Sequence, residues 1–369
     1  MRVALDVTPL LGAGSGVAQT VSQLLAALPG AAPEVEIVPY VLSGRARAGS
    51  ATLAGLPPGT RALPLPAGAV VRAWGRLDRP RGDRWLGDAD VVHGANFVVP
   101  PMSRRPTTLT VHDCWCARHP EACAPAVRAA TAAVQRAVDR GAWVHASTDH
   151  VAREVRDVYG AERLVVVPFG VPPVAEVPPS PPGPPTIVSL ATLDPRKGLD
   201  GLVRAFGALV ASGAPGVPDD LRLVLAGADD AGRPAVDEAV AGLDPAVAAR
   251  VDLPGAVSDA RRAALLRGAA VLAYPSLDEG FGFPLLEAMS VGTPVVASSA
   301  GAIPEVAGDA AELVAPGDDA ALAAALARVL GDDAHRSTLV AAGRARAASY
   351  SWAHHAAGMA ALWREAVAA

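Results

Sequence analysis

Ser276-Leu277-Asp278-Glu279-Gly280-Phe281-Gly282-Phe283-Pro284-Leu285-Leu286-Glu287-Ala288-Met289 is the stretch on which the reading of this chain turns. An apolar run, Val271 to Tyr274, precedes it and reads as a buried strand. Two close glycines follow, and Pro284 then stands where a helix tolerates proline best, in its first turn. A short helix over 284–291 is therefore expected. The backbone N–H groups of Gly280, Phe281 and Gly282 are expected to face an anion at that helix start. Each charge-assisted bond to a phosphate contributes roughly 1.5–3 kcal/mol. Glu279 lies before the turn and Glu287 on the helix after it, with seven residues between them. A phosphate needs no carboxylate beside it, whereas paired hydroxyls do. One glutamate is read as holding a transferred sugar and the other a ribose.

Around this stretch the chain alternates β-like and helical patterns. In the first half, strands are expected at Val3–Val7, Glu36–Leu42, Asp90–His93, Thr107–Val111, Trp143–Ser147 and Leu164–Val167. Helices are expected at Val17–Leu28, Ala126–Asp139 and from Thr148 or Asp149 to Val158. Composition then shifts to a proline-rich stretch, residues 171–185, which reads as an extended linker. The rhythm restarts with strands at Thr186–Leu190, Leu221–Ala226, Val271–Tyr274, Val295–Ala297 and Glu312–Ala315. Helices are expected at Leu199–Val210, Asp259–Arg267, Ala320–Leu330 and Trp352–Val367. Two doubly wound α/β halves place the active site in the cleft between them. The first glycine loop, Gly12-Ala13-Gly14-Ser15-Gly16, does not have the G-x-G-x-x-G spacing. It is read as facing a phosphate or ligand, with a plain tight turn as the alternative.

Composition sets outer limits. A chain of 369 residues is long for one core and suggests two domains. With 51% hydrophobic and 19% charged residues, a large core can form and general disorder is excluded. A net charge of −5 argues against a non-specific nucleic-acid binder. Three cysteines cannot build a disulfide framework, and a reducing, cytoplasmic setting is expected. No uncharged apolar run approaches the roughly 18 residues of a membrane span, and Met1–Val7 does not read as a signal peptide.

Several further clusters carry side chains able to bind a metal or an anion. His112, Cys114, Cys116, His119 and Cys123 could be a zinc set, yet Cys-x-Cys is not the usual ligand spacing. The cysteines are read instead as small buried hydrophobes. Asp88-Ala89-Asp90 has a metal-binding D-x-D form but runs straight into a strand. Asp6 is either a strand-end cap or a ligand. His354 and His355 are expected on the surface. Arg45, Arg47, Arg72, Arg76, Arg79, Arg81 and Arg84 read first as a solvated face, with a membrane-facing surface as the alternative.

The opening stretch resembles the E-x7-E signature of retaining glycosyltransferases of family 4, which have the GT-B fold: two doubly wound Rossmann-like domains facing each other across a cleft. Leu253–Asp259, Gly292–Ala297, Gly301–Val306 and Leu190–Gly198 fit that family's neighbouring loops, as do Val92–Phe97, Val111–Asp113 and His119–Glu121. The resemblance implies that Glu287 holds the donor ribose and Glu279 the donor-sugar hydroxyls. It gives Arg196 and Lys197, the chain's single lysine, to the diphosphate, His112 to the transferred sugar, and Gly16 to the phosphate or the acceptor. Many relatives carry arginine where this chain has Thr192, so Arg196 and Lys197 take more of the load.

The implied domains are 1–170 on the acceptor side, a linker at 171–185, 186–350 for the nucleotide sugar, and a helix at 351–369 packing back on the first domain. The implied reaction moves a hexose, mannose first, from a GDP- or UDP-linked donor to a glycan, lipid-linked or small-molecule acceptor. It needs no cofactor and no metal. The expected setting is cytoplasmic, with peripheral contact at the inner face of the membrane as an alternative. Two other readings use the same scaffold. A catalytically silent nucleotide-sugar-binding protein would bind donor without transferring or hydrolysing it. A GT-B epimerase would release a different free nucleotide sugar without any acceptor.

Overall fold

The computed structural model describes residues 1–12, 16–43, 55–178 and 183–369. Gly14 of the first glycine loop, Arg45, Arg47 and residues 179–182 of the proline-rich stretch lie outside the described residues. The chain divides into two units, Met1–Gly170 with Ser351–Ala369, and Val171–Tyr350.

In the first unit, seven strands form a parallel sheet among the described residues. They are β1 (Arg2–Asp6), β2 (Glu36–Leu42), β3 (Arg61–Leu63), β4 (Val91–Gly94), β5 (Thr107–Val111), β6 (Trp143–Ala146) and β7 (Leu164–Val166), in the order β3-β2-β1-β4-β5-β6-β7. Val3 pairs with Ile37 on one side and Val91 on the other. The central strands are buried along their length, as near-continuous apolar runs in parallel sheets are. Helices Gly16–Ala31 and Trp352–Ala368 cover one face, where Val21, Leu24, Met359 and Trp363 pack with Val3 and Leu5. Helices Ala67–Trp74 and Pro125–Asp139 cover the other, around Trp74, Leu109 and Val134.

The second unit has six parallel strands among the described residues: β8 (Thr186–Leu190), β9 (Arg222–Ala226), β10 (Val251–Gly255), β11 (Val271–Tyr274), β12 (Val295–Ser298) and β13 (Glu312–Val314). Their order is β10-β9-β8-β11-β12-β13. Leu202, Phe206 and Leu209 of helix Leu199–Ser212 pack onto Ile187, Leu223 and Val271. Strand β10 falls where the sequence reads as a loop. It is an edge strand that contains Pro254 and a register shift between Asp252 and Gly255, features that edge strands tolerate. Each sheet reverses its strand order once, between β1 and β4 and between β8 and β11. Loops leaving the carboxyl ends of strands on either side of a reversal diverge and leave a crevice for a ligand.

The first unit buries three histidines. His355 is 2% exposed, against the expected surface position, and its Nδ1 donates to the Pro168 carbonyl at 3.0 Å; only its neighbour His354 faces solvent. His355 lies on the same helical stripe as Ala356, Met359 and Trp363, which explains its burial. His145 Nε2 donates to the Val167 carbonyl at 2.9 Å, so its Nδ1 accepts from the Thr110 hydroxyl at 2.9 Å. That hydroxyl in turn accepts from His93 Nε2 at 3.2 Å, leaving His93 Nδ1 to accept from Thr108 at 2.8 Å. Burial pushes His93 well below the usual imidazole range, His145 to about 4 and His355 to about 3.

This makes stability depend on pH. A group whose native pKa is depressed below its unfolded value of about 6.5 loses its stabilising effect as pH falls through that value. Asp6 acts the other way, since burial raises its carboxyl to about 6 and the native state takes up its proton first. With one histidine offset, at least two groups remain, so unfolding free energy falls by roughly 2–3 kcal/mol per pH unit between pH 6 and 5. Urea titrations at pH 7, 6 and 5 check this, and a flat profile contradicts it.

Candidate functional site

The loops after β8 and β11 flank the strand-order reversal and are tied to each other near their start. After β8, the Asp194 carboxylate accepts from the Arg196 amide at 2.8 Å and caps one tight turn, Pro195–Lys197. Gly198 follows with φ 61°, and a Cβ there would lie 2.6 Å from the Pro275 carbonyl. The Leu277 amide donates to the Arg196 carbonyl at 2.7 Å and ties this loop to the one after β11. The turn delivers the Lys197 ammonium to Glu279 Oε1.

Glu279 Oε1 collects two further donors, the Tyr274 hydroxyl at 2.5 Å and the Ser276 hydroxyl at 3.1 Å. Glu279 Oε2 accepts no hydrogen bond among the described residues. Burial raises the Glu279 carboxyl, but the charges of Lys197 and Arg196 and the bonds from Lys197 and Tyr274 outweigh it and hold the group below the ordinary carboxylate range. Burial and the Glu279 charge raise Tyr274 well above its usual range, so it remains a donor. The site is thus a fixed carboxylate with one oxygen anchored and one available, beside a lysine and an arginine.

Gly282, at φ 89°, caps helix Phe283–Val291, and the ring of Phe281 is buried against Phe283 and Tyr350. Glu287 sits on that helix and forms an ion pair with Arg262. Gly280 belongs to the connecting loop, between the two glutamates. Lys197, Arg196 and Glu279 come together in the second unit.

Gly16 and His112 belong to the first unit. Gly16 opens helix Gly16–Ala31 and is exposed. His112 follows β5, between the rings of Phe97 and Phe169. Its Nε2 donates to the Ala95 carbonyl at 3.0 Å, and burial pushes its imidazole down, which keeps it neutral.

The sequence reading gave no role to Tyr274, Ser276, Arg262 or Gly301. Ser276 opens the quoted stretch and Tyr274 lies two residues before it, so both hydroxyls were within reach of a local reading. Arg262 is 25 positions from Glu287, and no spacing signals that contact. Gly301 has φ 56°, and its amide neighbour Ala302 donates to the Glu279 carbonyl at 2.8 Å. A Cβ on Gly301 would lie 2.6 Å from the Glu279 nitrogen and closer still to its carbonyl oxygen.

Other clusters resolve into structure. Cys116 and Cys123 form a disulfide with Cα atoms 5.8 Å apart. This corrects the reading of all three cysteines as buried hydrophobes, which holds only for Cys114. It also weakens the inference of a reducing compartment. Among the described residues no group of three or more His, Cys, Asp or Glu is placed to hold a metal. Asp88 pairs with Arg2 and Arg61, and Asp90 accepts from the Arg2 amide at 2.8 Å, so the D-x-D stretch ties strand ends. The Asp6 carboxyl accepts from the Thr8 amide at 2.9 Å and from its hydroxyl, which makes it a turn cap. Asp113 likewise accepts from the Trp115 amide at 3.1 Å.

Comparison with known proteins identifies the family and the fold. Residues 14–174 match Glycosyltransferase Family 4, and residues 184–332 match Glycosyl transferases group 1. O-antigen chain mannosyltransferase B of Escherichia coli is 30% identical over 310 residues, 75% of each chain. Phosphatidyl-myo-inositol mannosyltransferase of Mycobacterium leprae is 31% identical over 359 residues, 89% of this chain and 85% of that one. Sucrose-phosphate synthase from Thermosynechococcus elongatus superposes with a TM-score of 0.75 at 20% identity, over 99% of this chain and 98% of that one. Anabaena HepE in complex with UDP-glucose superposes with a TM-score of 0.70 at 19% identity, over 98% of both. The fold is GT-B. The chain belongs to the family 4 glycosyltransferases and is a glycosyltransferase.

Gly301→Ala is expected to cost about 1–3 kcal/mol of stability, because it forces a side chain into positive φ and against Glu279. Nucleotide affinity should fall at least tenfold with it. Gly268→Ala, where a Cβ meets nothing within 4 Å, is the control and should change neither. Urea titration and isothermal calorimetry measure both effects, and equal behaviour of the two variants contradicts the role given to Gly301.

Proposed function

We propose that this enzyme transfers mannose, with retention of anomeric configuration, from a nucleotide-diphospho-mannose, GDP-linked first and UDP-linked second, to a glycan or lipid-linked acceptor. One observation carries the reading: Glu279 has one oxygen anchored by three donors and the other available to sugar hydroxyls, next to Lys197. The names of the two mannosyltransferase relatives support mannose, and HepE with bound UDP-glucose supports a nucleotide-sugar donor. The second unit takes the donor and the first reads the acceptor.

In this mechanism the bond between the anomeric carbon and the β-phosphate oxygen breaks, and its electron pair leaves on the diphosphate. Lys197 and Arg196 stabilise that charge as it develops, so no metal is required. The anomeric carbon passes through an oxocarbenium-like state. The acceptor hydroxyl attacks from the face the diphosphate leaves, and its proton passes to the departing phosphate oxygen. The family resemblance assigns His112 to the transferred sugar and Gly16 to the phosphate or the acceptor. The amides of Gly280, Phe281 and Gly282 complete the donor pocket, and Glu287 holds the ribose.

Lys197→Ala should lower kcat by at least 100-fold, about 2.7 kcal/mol of transition-state stabilisation, and Glu287→Ala should lower kcat/KM as far, chiefly by raising the donor KM. Circular dichroism should show an intact fold in both. Full activity in either variant defeats the assignment. Thermal shifts with GDP, UDP and ADP, without magnesium, should show one nucleotide raising the midpoint; no shift with any of them removes the donor reading. NMR of the product should show the donor's anomeric configuration. Donor binding with neither transfer nor hydrolysis would instead favour a silent binding protein. A new free nucleotide sugar would favour an epimerase.

We further propose peripheral contact with an anionic membrane. Among the described residues no helix is long and apolar enough to cross a membrane. Leu77 is 62% exposed, however, amid the exposed Arg72, Arg76, Arg79, Arg81 and Arg84. Sedimentation with phosphatidylglycerol vesicles should be lost when Arg72, Arg76 and Arg79 are changed to Glu. Sedimentation unaltered by the charge reversal, or none from the start, leaves those arginines as a solvated face.

A further inference from the structure

Glu287 is almost fully buried, with its side chain 4% exposed, and its carboxylate is held from one direction only. Arg262, on helix Asp259–Gly268, donates from Nε to Oε1 at 3.2 Å and from Nη2 to Oε2. One edge of the guanidinium thus grips both oxygens, the planar fork that lysine cannot reproduce. The helix carrying Arg262 is itself fixed. Its N-terminus is capped by Ser258, whose Oγ accepts from the Arg261 amide at 3.3 Å. One turn beyond Arg262, on the same helical face, the Leu266 carbonyl accepts from Thr293 Oγ1 at 2.6 Å. Thr293 closely follows helix Phe283–Val291, so the two helices are tied at both the fork and the hydroxyl. The Arg262 side chain makes no other polar contact among the described residues.

We propose that Arg262 is a positioning residue for ribose recognition, fixing the plane of the Glu287 carboxylate so that its remaining lone pairs meet the vicinal hydroxyls of a ribonucleoside diphosphate. A carboxylate offers about four lone-pair sites, and the fork uses one on each oxygen. One on each oxygen remains, which suits a diol that offers two donors. Arg262 has no part in the bond-making step. Without it the Glu287 carboxylate is free to turn about its last side-chain torsion, a broad one, and the buried charge loses its cation. This inference rests on the reading that Glu287 meets the ribose.

The test is calorimetric binding of GDP and UDP, each against its 2′-deoxy and 2′,3′-dideoxy counterparts. Wild type should bind the ribose form at least tenfold more tightly than the dideoxy form. Arg262→Leu should weaken the ribose form tenfold or more and the dideoxy form less than twofold. Arg262→Lys keeps a cation without the fork and should fall between, and it carries the test if the leucine variant does not fold. In turnover assays both variants should raise the donor KM far more than they lower kcat. Equal weakening of the ribose and dideoxy forms would make Arg262 merely structural and overturn the proposal, as would no weakening of either. Glu287→Gln separates the two readings. If it leaves the ribose preference of wild type intact, the ribose assignment of Glu287 fails. If it abolishes that preference while Arg262→Leu does not, only the role of Arg262 fails.

Discussion

The ion pair between Lys197 and Glu279 is the interaction on which the second unit's site depends. Both side chains are nearly buried, 11% and 10% exposed, so each charge lowers the cost of burying the other, with Arg196 and the Tyr274 hydroxyl adding to the support of Glu279. The backbone is arranged to make the pair possible. Asp194 caps the turn that aims Lys197, and Leu277 ties that turn to the next loop. Gly198 and Gly301 allow backbone to approach backbone where a Cβ would collide. These are features of two loops at a strand-order reversal, and a parallel sheet supplies such a place once per doubly wound domain.

The two glutamates share a loop and a helix but sit in unlike environments. Glu279 receives three donors on a single oxygen. Glu287 receives two, one on each oxygen, from one arginine. The first arrangement anchors a carboxylate and leaves an oxygen to work. The second fixes a plane and shares both oxygens. A sugar in motion and a ribose that only binds call for these different supports.

The opening stretch was legible because its chemistry is local: a strand, two glycines, a helix start and two acids. Most strands were legible for the same reason, since buried parallel strands are short apolar runs. What escaped depends on contacts between distant positions or on absent pattern. Arg262 and Gly301 matter only because the fold brings them to Glu287 and Glu279. Strand β10 carries a proline and a register shift, so its pattern is broken. His355 escaped for a different reason. Its stripe with Ala356, Met359 and Trp363 is readable, but a polar residue type points to the surface where the helical position points inward. The Cys116–Cys123 bond was missed because a count of three says nothing about which two meet.

The units differ in the buried polar groups that dominate each. The first keeps His93 and His145 neutral in a chain of hydrogen bonds running from Thr108 to the Val167 carbonyl, and His355 neutral on the Pro168 carbonyl. The second keeps its buried carboxylates paired with cations. Acid therefore reaches them in sequence. Protons taken up by unfolded histidines below about pH 6.5 erode the first unit before Glu279, held below the ordinary carboxylate range, gives up its charge. Activity lost on mild acidification then traces to stability in the first unit rather than to chemistry at Glu279. It should recover on neutralisation and be lessened by any variant that removes a buried histidine without unfolding the chain.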